Sequence, residues 1–392
     1  MDGPRACVAS EFDEVIELIN QTFRAGSDQN IRTDYPLIFD LAKLDCMRVV
    51  KVDGRVVSQV PAAPREVIAA GDGFTIGIIS PTITHPDYRH RGYATLCLRD
   101  CIRLMEENDW VLSVLWTQQA TFPFYQNSGY EAVGCQGFAY RLEEQDVSRF
   151  ESGSFEVVPF DSGNDAHLDT AIRFHDDEPF RIVRTRSDYE ALYSLPRTQT
   201  WLARQGHEIV ASLTLGEGTN KPGLIESGGS REGLEALVAH VLTQRGDRET
   251  QAIVPLTPCV LGQVLQEKKP ESRIPVEEAA GVGYQMVRIN SLTELLRRLE
   301  NHLRNRSAGI TADVCLVCSD SSETVTIHAR DGVVELSATE SAQPIVLARR
   351  QLVQLIFGSH AALEAQTIDG PGADLLRSLF PYYFPIWQLD HC

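Results

Sequence analysis

Arg89, Gly92 and Ala94 stand at Arg-x-x-Gly-x-Ala spacing within "PTITHPDYRHRGYAT", after the strand-like run "IGIISPTIT" and before the helix-like run "YATLCLRDCIRLMEEN". The first turn of a helix leaves backbone N–H groups unpaired and carries partial positive charge, so it attracts anions. Glycine at 92 removes the Cβ that would hold a phosphate off the backbone, Ala94 keeps the next turn thin, and Arg89 and Arg91 add charge. The spacing predicts a strand ending at Thr84 or His85, a turn at Pro86 and a helix starting near Gly92. Together these form a pyrophosphate cradle, in which His90 offers a backbone N–H and Tyr93 and Thr95 continue the helix start. A strand-to-helix turn with an incidental glycine is the bland alternative, and the context on both sides weighs against it.

The elements that must position this loop read as a mixed α/β unit. "RACVAS" is a short strand, "EFDEVIELINQTFR" has apolar residues at helical spacing, and "VDGR" marks a hairpin in the strands that follow. After the helix come the strand "WVLSVLW" and the segment "FPFYQNSGYEAVG", and the unit closes near residue 146. Residues 147–287 repeat this order of elements, with a hairpin around Gly206 and the helix "SREGLEALVAHVLTQRG", which suggests a structural duplication. The repeat lacks the loop: "GSREGLEAL" stands where the first copy has "YRHRGYAT". Residues 288–392 form a third, α+β segment, with one helix in "SLTELLRRLENHLRN", alternating strands, and helices in "ARRQLVQLIFGS" and "GADLLRSLF".

Composition narrows the function classes. A formal net charge of -18 argues against nucleic acid as a partner; it would attract cationic ligands, and it equally suits an acidic surface that serves solubility. No apolar run is long enough to span a bilayer and the start lacks a signal peptide, so no membrane partner is expected. Nine cysteines without a framework suit a reducing cytoplasm. "CLVC" (Cys315 to Cys318) has no second pair to complete a zinc site, so no metal is expected, and Cys97 and Cys101 read as core.

The loop with its flanking elements resembles the coenzyme A-binding signature of the GNAT (Gcn5-related) N-acetyltransferases, and "FPFYQNSGYEAVG" resembles the same family's Phe-Tyr-x-x-x-Gly-Phe/Tyr segment. The resemblance implies acetyl-CoA as co-substrate, its pantetheine arm along Ile83, Thr84 and His85, and Tyr125 as the proton donor to the departing thiolate. A tyrosine of ordinary pKa, about 10, suits that role; a core aromatic on a short helix is the alternative for Tyr125. The three-segment plan resembles the enhanced-intracellular-survival (Eis-like) family: a catalytic GNAT unit, a degenerate GNAT-like unit and a sterol-carrier-protein-like domain. That likeness implies acetylation of a small-molecule amine or a protein lysine and a homo-oligomer, a hexamer. It also implies that the terminal carboxylate, here of Cys392, accepts the amine proton. The end "FPYYFPIWQLDHC" suits a segment pinned against another domain, and Asp390 and His391 are competing bases. Phe23, Asp28, Asp34 and Tyr35 are candidates for holding a cationic substrate. The rival from another class is a catalytically decayed acetyl-CoA-binding regulatory or scaffold protein.

Overall fold

Alternation of apolar residues sets the first strands. β1 (Asp2–Ala6), β2 (Met47–Val52) and β3 (Arg55–Pro61) pair antiparallel, and the expected two-residue turn at "VDGR" closes with Asp53 and Gly54 at φ 51° and 80°. The helices α1 (Phe12–Phe23) and α2 (Ile31–Asp34) lie between β1 and β2 in the chain. β4 (Ala63–Ala69) and β5 (Asp72–Ile78) form a second hairpin, followed by the two-residue β6 (Ile83–Thr84) and by α3 (Tyr93–Glu107). α3 buries Cys97 and Cys101 against β3, where their thiols donate to the Ser58 and Val60 carbonyls. β7 (Leu112–Thr117), α4 (Phe122–Gln126) and β8 (Glu131–Ala132) complete this stretch. The computed structural model describes residues 1–151, 153–218, 221–279, 281–339, 343–359, 364 and 371–391.

The chain divides into two units, Met1–Gly134 with Tyr284–Tyr383, and Cys135–Gly283 with the tail from Phe384 onward. This differs from the division at 146 and 287. β9 (Gly137–Leu142), expected to close the first unit, pairs over six residues with β15 (Thr250–Pro255) of the second. The rest of that unit comprises β10 (Glu156–Pro159), α5 (Asp165–Asp176), β11 (Phe180–Ile182), α6 (Arg186–Tyr193), β12 (Thr198–Gln205), β13 (Glu208–Gly218), β14 (Lys221–Gly229), α7 (Arg231–Arg245), α8 (Val260–Lys268) and β16 (Arg273–Pro275). Its seven-stranded sheet runs β10-β12-β13-β14-β15-β9-β16, over a core that includes Trp201, Leu213, Leu237, Val241 and Trp387.

The chain then returns to the first unit. β17 (Tyr284–Ile289), which spans the boundary expected at 287, runs antiparallel between β7 and β8, so the strands there follow the order β4-β5-β7-β17-β8. The third segment supplies α9 (Leu292–Arg298), α10 (Glu300–Arg306), the sheet order β20-β19-β18-β21 from β18 (Thr311–Cys318), β19 (Thr324–Arg330), β20 (Val333–Ser337) and β21 (Ile345–Leu347), then α11 (Arg349–Phe357) and a helix at Pro371–Leu379. Cys315 and Cys318, three apart on β18, point to opposite faces of the sheet and are both buried.

The single helix expected in "SLTELLRRLENHLRN" is two, broken at Leu299. The cause is tertiary. The Asp72 carboxylate, at the start of β5, accepts the N–H groups of Asn301 (2.9 Å) and His302 (3.1 Å) and so caps a new helix start. Asp72→Ala would leave two amides unpaired in a partly buried place, at about 1–3 kcal/mol. A urea-unfolding midpoint lower than wild type is expected, with Asp72→Asn in between; an unchanged midpoint would remove the cap from the account.

Candidate active site

Between β5 and β6 the chain changes partners. β5 pairs in parallel with β7 up to Ile78↔Val114, and the Ile79 N–H still donates to the Val114 carbonyl (2.9 Å). At β6 the partner is β3, with Ser58↔Thr84 and Gln59↔Ile83, and the His85 N–H donates to the Val57 carbonyl (2.8 Å). The far half of β7, Leu115–Thr117, pairs on its other side with β17. Among the described residues no backbone hydrogen bond joins 83–85 to 115–117, so a gap lined by main chain opens there. By the alternation of an antiparallel ladder, the Thr84 main-chain groups face away from β3. Ser58 pins β6: its hydroxyl donates to the Ile83 carbonyl (2.9 Å) and shares a hydrogen bond with Thr84 Oγ1 (2.8 Å). Ser58 was not among the expected site residues, although adjacent polar residues in the apolar strand "RVVSQVP" were its signal.

The loop after β6 turns as its residues predict. His85 Nδ1 accepts the Asp87 N–H (3.3 Å), Pro86–Tyr88 make one 3-10 turn, and Arg89 Nε donates to the Thr84 carbonyl (3.3 Å). Arg91 donates to the Asp87 carbonyl (3.0 Å) and lies 5.2 Å over the Tyr88 ring. His90 at φ 61° and Gly92 at φ 82° then swing the chain into α3. Among the described residues no side chain caps this helix, and the first of its amides to find a partner is that of Leu96, which donates to the Gly92 carbonyl (3.0 Å). The N–H groups of Tyr93, Ala94 and Thr95 have no partner among the described residues. A Cβ at position 92 would meet nothing within 4 Å, so glycine there serves the left-handed backbone and leaves the space above the helix start open.

Tyr125, on α4, is buried in the cluster that holds Val57, Ile79 and Leu115, residues from the strands on either side of the gap. Phe124 and Tyr130 pack edge-on against it, at ring separations of 4.8 and 5.9 Å. Burial raises its pKa above the ordinary 10. Tyr125 therefore keeps its proton at neutral pH, as a donor must. Thr82 Oγ1 is itself buried with no hydrogen-bond partner among the described residues, and nothing in the sequence flagged it.

The four expected acceptor-binding residues divide. Phe23, the last residue of α1, is 46 % exposed, and Asp28 in the following turn is exposed. Asp34 is held by Arg24 at 2.8 Å in a mostly buried ion pair, and Tyr35 is buried. Cys392 lies outside the described residues.

Among the described residues the second unit shows no such open helix start. Ser230 Oγ accepts the Gly233 N–H (3.2 Å) and so caps α7, and a Cβ at Gly233 would come within 2.7 Å of Ala211. Instead this unit holds a buried charge cluster. Arg184 donates Nε (2.7 Å) and Nη2 (2.7 Å) to the two Asp390 oxygens, and Nη1 (3.1 Å) and Nη2 (2.5 Å) to Glu226. The Tyr193 hydroxyl donates to Glu226 as well (2.7 Å). With both oxygens on a buried guanidinium, Asp390 is not available as the base. His175, Glu226 and Asp390 have ligand atoms within 4.8 Å of one another, a spacing that suits a metal ion, but Arg184 already supplies the cation. Burial alone would raise the Glu226 pKa; Arg184 outweighs it and holds the carboxyl below its usual 4.5. Glu178 goes the other way, pushed up to about 7 by burial and then by Asp177 and Glu226.

Residues 4–133 match the family model described as an acetyltransferase (GNAT) domain. The first unit therefore carries a GNAT acetyltransferase domain, and the gap and uncapped helix lie inside the matched residues. A comparison with curated proteins finds no match. Among solved structures, a GCN5-related N-acetyltransferase from Kribbella flavida aligns over 97 % of this chain and 96 % of its own, at 16 % identity and a TM-score of 0.72. A probable N-acyltransferase from Enterococcus faecalis aligns over 98 % of each chain, at 14 % identity and a TM-score of 0.74. Eis1 from Mycobacterium abscessus aligns over 97 % of this chain and 99 % of its own, at 13 % identity and a TM-score of 0.63. The fold of these proteins is thus the fold of this one, mixed α/β with GNAT-like units. No helix among the described residues is long and apolar enough to cross a membrane.

Arg184→Met should destabilise the second unit by about 3–5 kcal/mol, since it strands two buried carboxylates; a wild-type unfolding midpoint would show that the cluster contributes nothing. Glu178 has a folded pKa above its unfolded value, so its contribution is present below pH 4.5 and is lost as pH rises through about 7. Glu178→Gln should therefore raise the thermal midpoint at pH 8 and leave it nearly unchanged at pH 4.5. The reverse order would show that Glu178 ionises freely.

Proposed function

We propose that the chain is an acetyl-CoA-dependent N-acetyltransferase acting on a primary amine of a small cationic molecule or a protein lysine. The observation that carries this reading is the uncapped, glycine-entered start of α3 directly beside the main-chain gap that Tyr125 approaches. The donor set fits the co-substrate. Amides at Tyr93, Ala94 and Thr95 without partners among the described residues, with Arg89 and Arg91 beside them, suit a pyrophosphate, and the β6 edge at Thr84, flanked by Ile83 and His85, suits an amide-bearing arm. When bound, acetyl-CoA supplies the activated acetyl group. Tyr125 then holds a proton at its hydroxyl, buried and away from bulk water, for the leaving sulfur.

The acceptor amine is a cation at neutral pH and must lose a proton before it attacks; the carboxylate of Cys392 is the proposed acceptor of that proton. Phe23 and Asp28 would bind the acceptor through an aromatic face and a negative charge. The sterol-carrier-protein-like character of the third segment, the Eis-like relationship, a homo-hexamer and a cytoplasmic location belong to the same proposal. The full-length likeness in fold to Eis1 supports it.

Gly92→Glu would strain the backbone and set a carboxylate against the phosphates. Charge-assisted hydrogen bonds are worth about 1.5–3 kcal/mol each, so a loss of at least about tenfold in acetyl-CoA affinity is expected by calorimetry. Unchanged affinity in a folded variant would sink the cradle. Tyr125→Phe should lower kcat by about 10²–10⁴ with little change in acetyl-CoA affinity. A near-wild-type kcat, with the chemical step shown to limit the rate, would return Tyr125 to packing.

A further inference from the structure

The four-stranded sheet of the third segment carries an aspartate, a histidine and a serine in one chain of hydrogen bonds. β18, β19 and β20 are neighbours, and their register sets Asp313 opposite His328 and Thr326 opposite Ser337. Residues directly paired, or two apart along a strand, share a face, so all three side chains project from the same side. His328 Nδ1 lies 3.0 Å from Asp313 Oδ1, and His328 Nε2 lies 3.0 Å from Ser337 Oγ. Solvent reaches the group: the His328 side chain is 33 % exposed and that of Asp313 47 %.

These bonds set the direction of proton flow. A carboxylate only accepts, so the ring proton sits on Nδ1, and Nε2 of the neutral ring accepts the Ser337 O–H. Arg330, two residues on from His328, donates Nη1 (2.7 Å) and Nη2 (3.0 Å) to the two Asp313 oxygens. Arg330 chiefly, and His328 after it, hold the Asp313 carboxyl below its usual 3.8, so it is ionised at neutral pH. Asp313 thus orients the ring and stabilises the imidazolium that forms when the ring takes a proton.

Ser337 ends β20, at the edge of the sheet, and the N–H of the next residue, Ala338, has no backbone partner among the described residues. An amide directly after a nucleophile is placed to donate to the oxyanion of a tetrahedral intermediate. Glu335, exposed and opposite His328 in the ladder, adds a negative charge to this face.

We propose that Asp313, His328 and Ser337 form a catalytic site of their own, which hydrolyses small uncharged or cationic carboxylic esters through an acyl-serine intermediate. Ser337 Oγ adds to the ester carbonyl carbon as its proton passes to His328 Nε2. The bond from that carbon to the alcohol oxygen breaks, and His328 gives the proton to the departing alcohol. Water then attacks the acyl-serine, losing a proton to His328, and the carboxylic acid leaves as Ser337 Oγ takes that proton back. Access to solvent suits this order, because water is the second substrate. The site uses no residue of the cradle and no coenzyme A, so it would stand if acetyl transfer failed.

The test contains no acetyl-CoA. The full chain is treated with a fluorophosphonate, which phosphonylates activated serines, and its peptides are weighed. Modification of Ser337 is expected, at a rate at least about 100-fold lower in His328→Gln, the loss that removing a general base brings. Hydrolysis of p-nitrophenyl acetate should saturate, exceed that of the anionic p-nitrophenyl hemisuccinate, and fall by a similar factor in Ser337→Ala. Absence of phosphonate on Ser337 in the unaltered chain would overturn the proposal with no variant needed. So would a wild-type rate of ester hydrolysis in folded Ser337→Ala, wild-type labelling in folded His328→Gln, or faster hydrolysis of the hemisuccinate.

Discussion

A strand has only two edges, and the segment from Asp72 to His85 uses them for different partners at different heights. Up to Ile79 it bonds to β7, and from Ile83 it bonds to β3. Where it leaves β7, no described strand replaces it on that side, and main chain of both strands lines the gap. Buried backbone groups without partners are costly, so such a gap persists when the rest of the fold holds both sheets in place. Ser58 does part of that holding through its bond to the Ile83 carbonyl, and β17 takes up the free edge of β7. The glycine-entered helix start follows within a few residues because the same strand, once released, turns directly into α3.

α3 and α7 occupy equivalent places after a strand in their units, and their starts differ by one chemical choice. Gly92 offers no oxygen to the amides that follow, whereas Ser230 offers its hydroxyl. A capped helix start has less to give an anion, and the tight approach of Ala211 to Gly233 closes the space as well.

Guanidinium groups also fix much of the tertiary structure in this acidic chain. Arg24 with Asp34, and Arg184 with Glu226 and Asp390, are mostly desolvated pairs in which each charge needs the other in place. Arg184 joins residues 42 and 206 positions away, so it anchors the tail to the second unit.

Local order was legible in the sequence because its causes are local. The strand, proline turn and glycine-entered helix around Gly92, the hairpin at Asp53–Gly54 and the burial of Cys97 and Cys101 follow from spacing and backbone preference within a few residues. What the residues could not announce are partners far away in the chain. β9 looks like the end of one unit and pairs in the next; β17 crosses back to sit beside β7. Asp72 breaks a helix that its own periodicity would continue, and Arg24 engages an Asp34 that looked ready for a ligand. Hydrogen bonding and charge pairing across the sheet decide these, and such contacts depend on where two segments meet in space, which the spacing of residues within either segment does not encode.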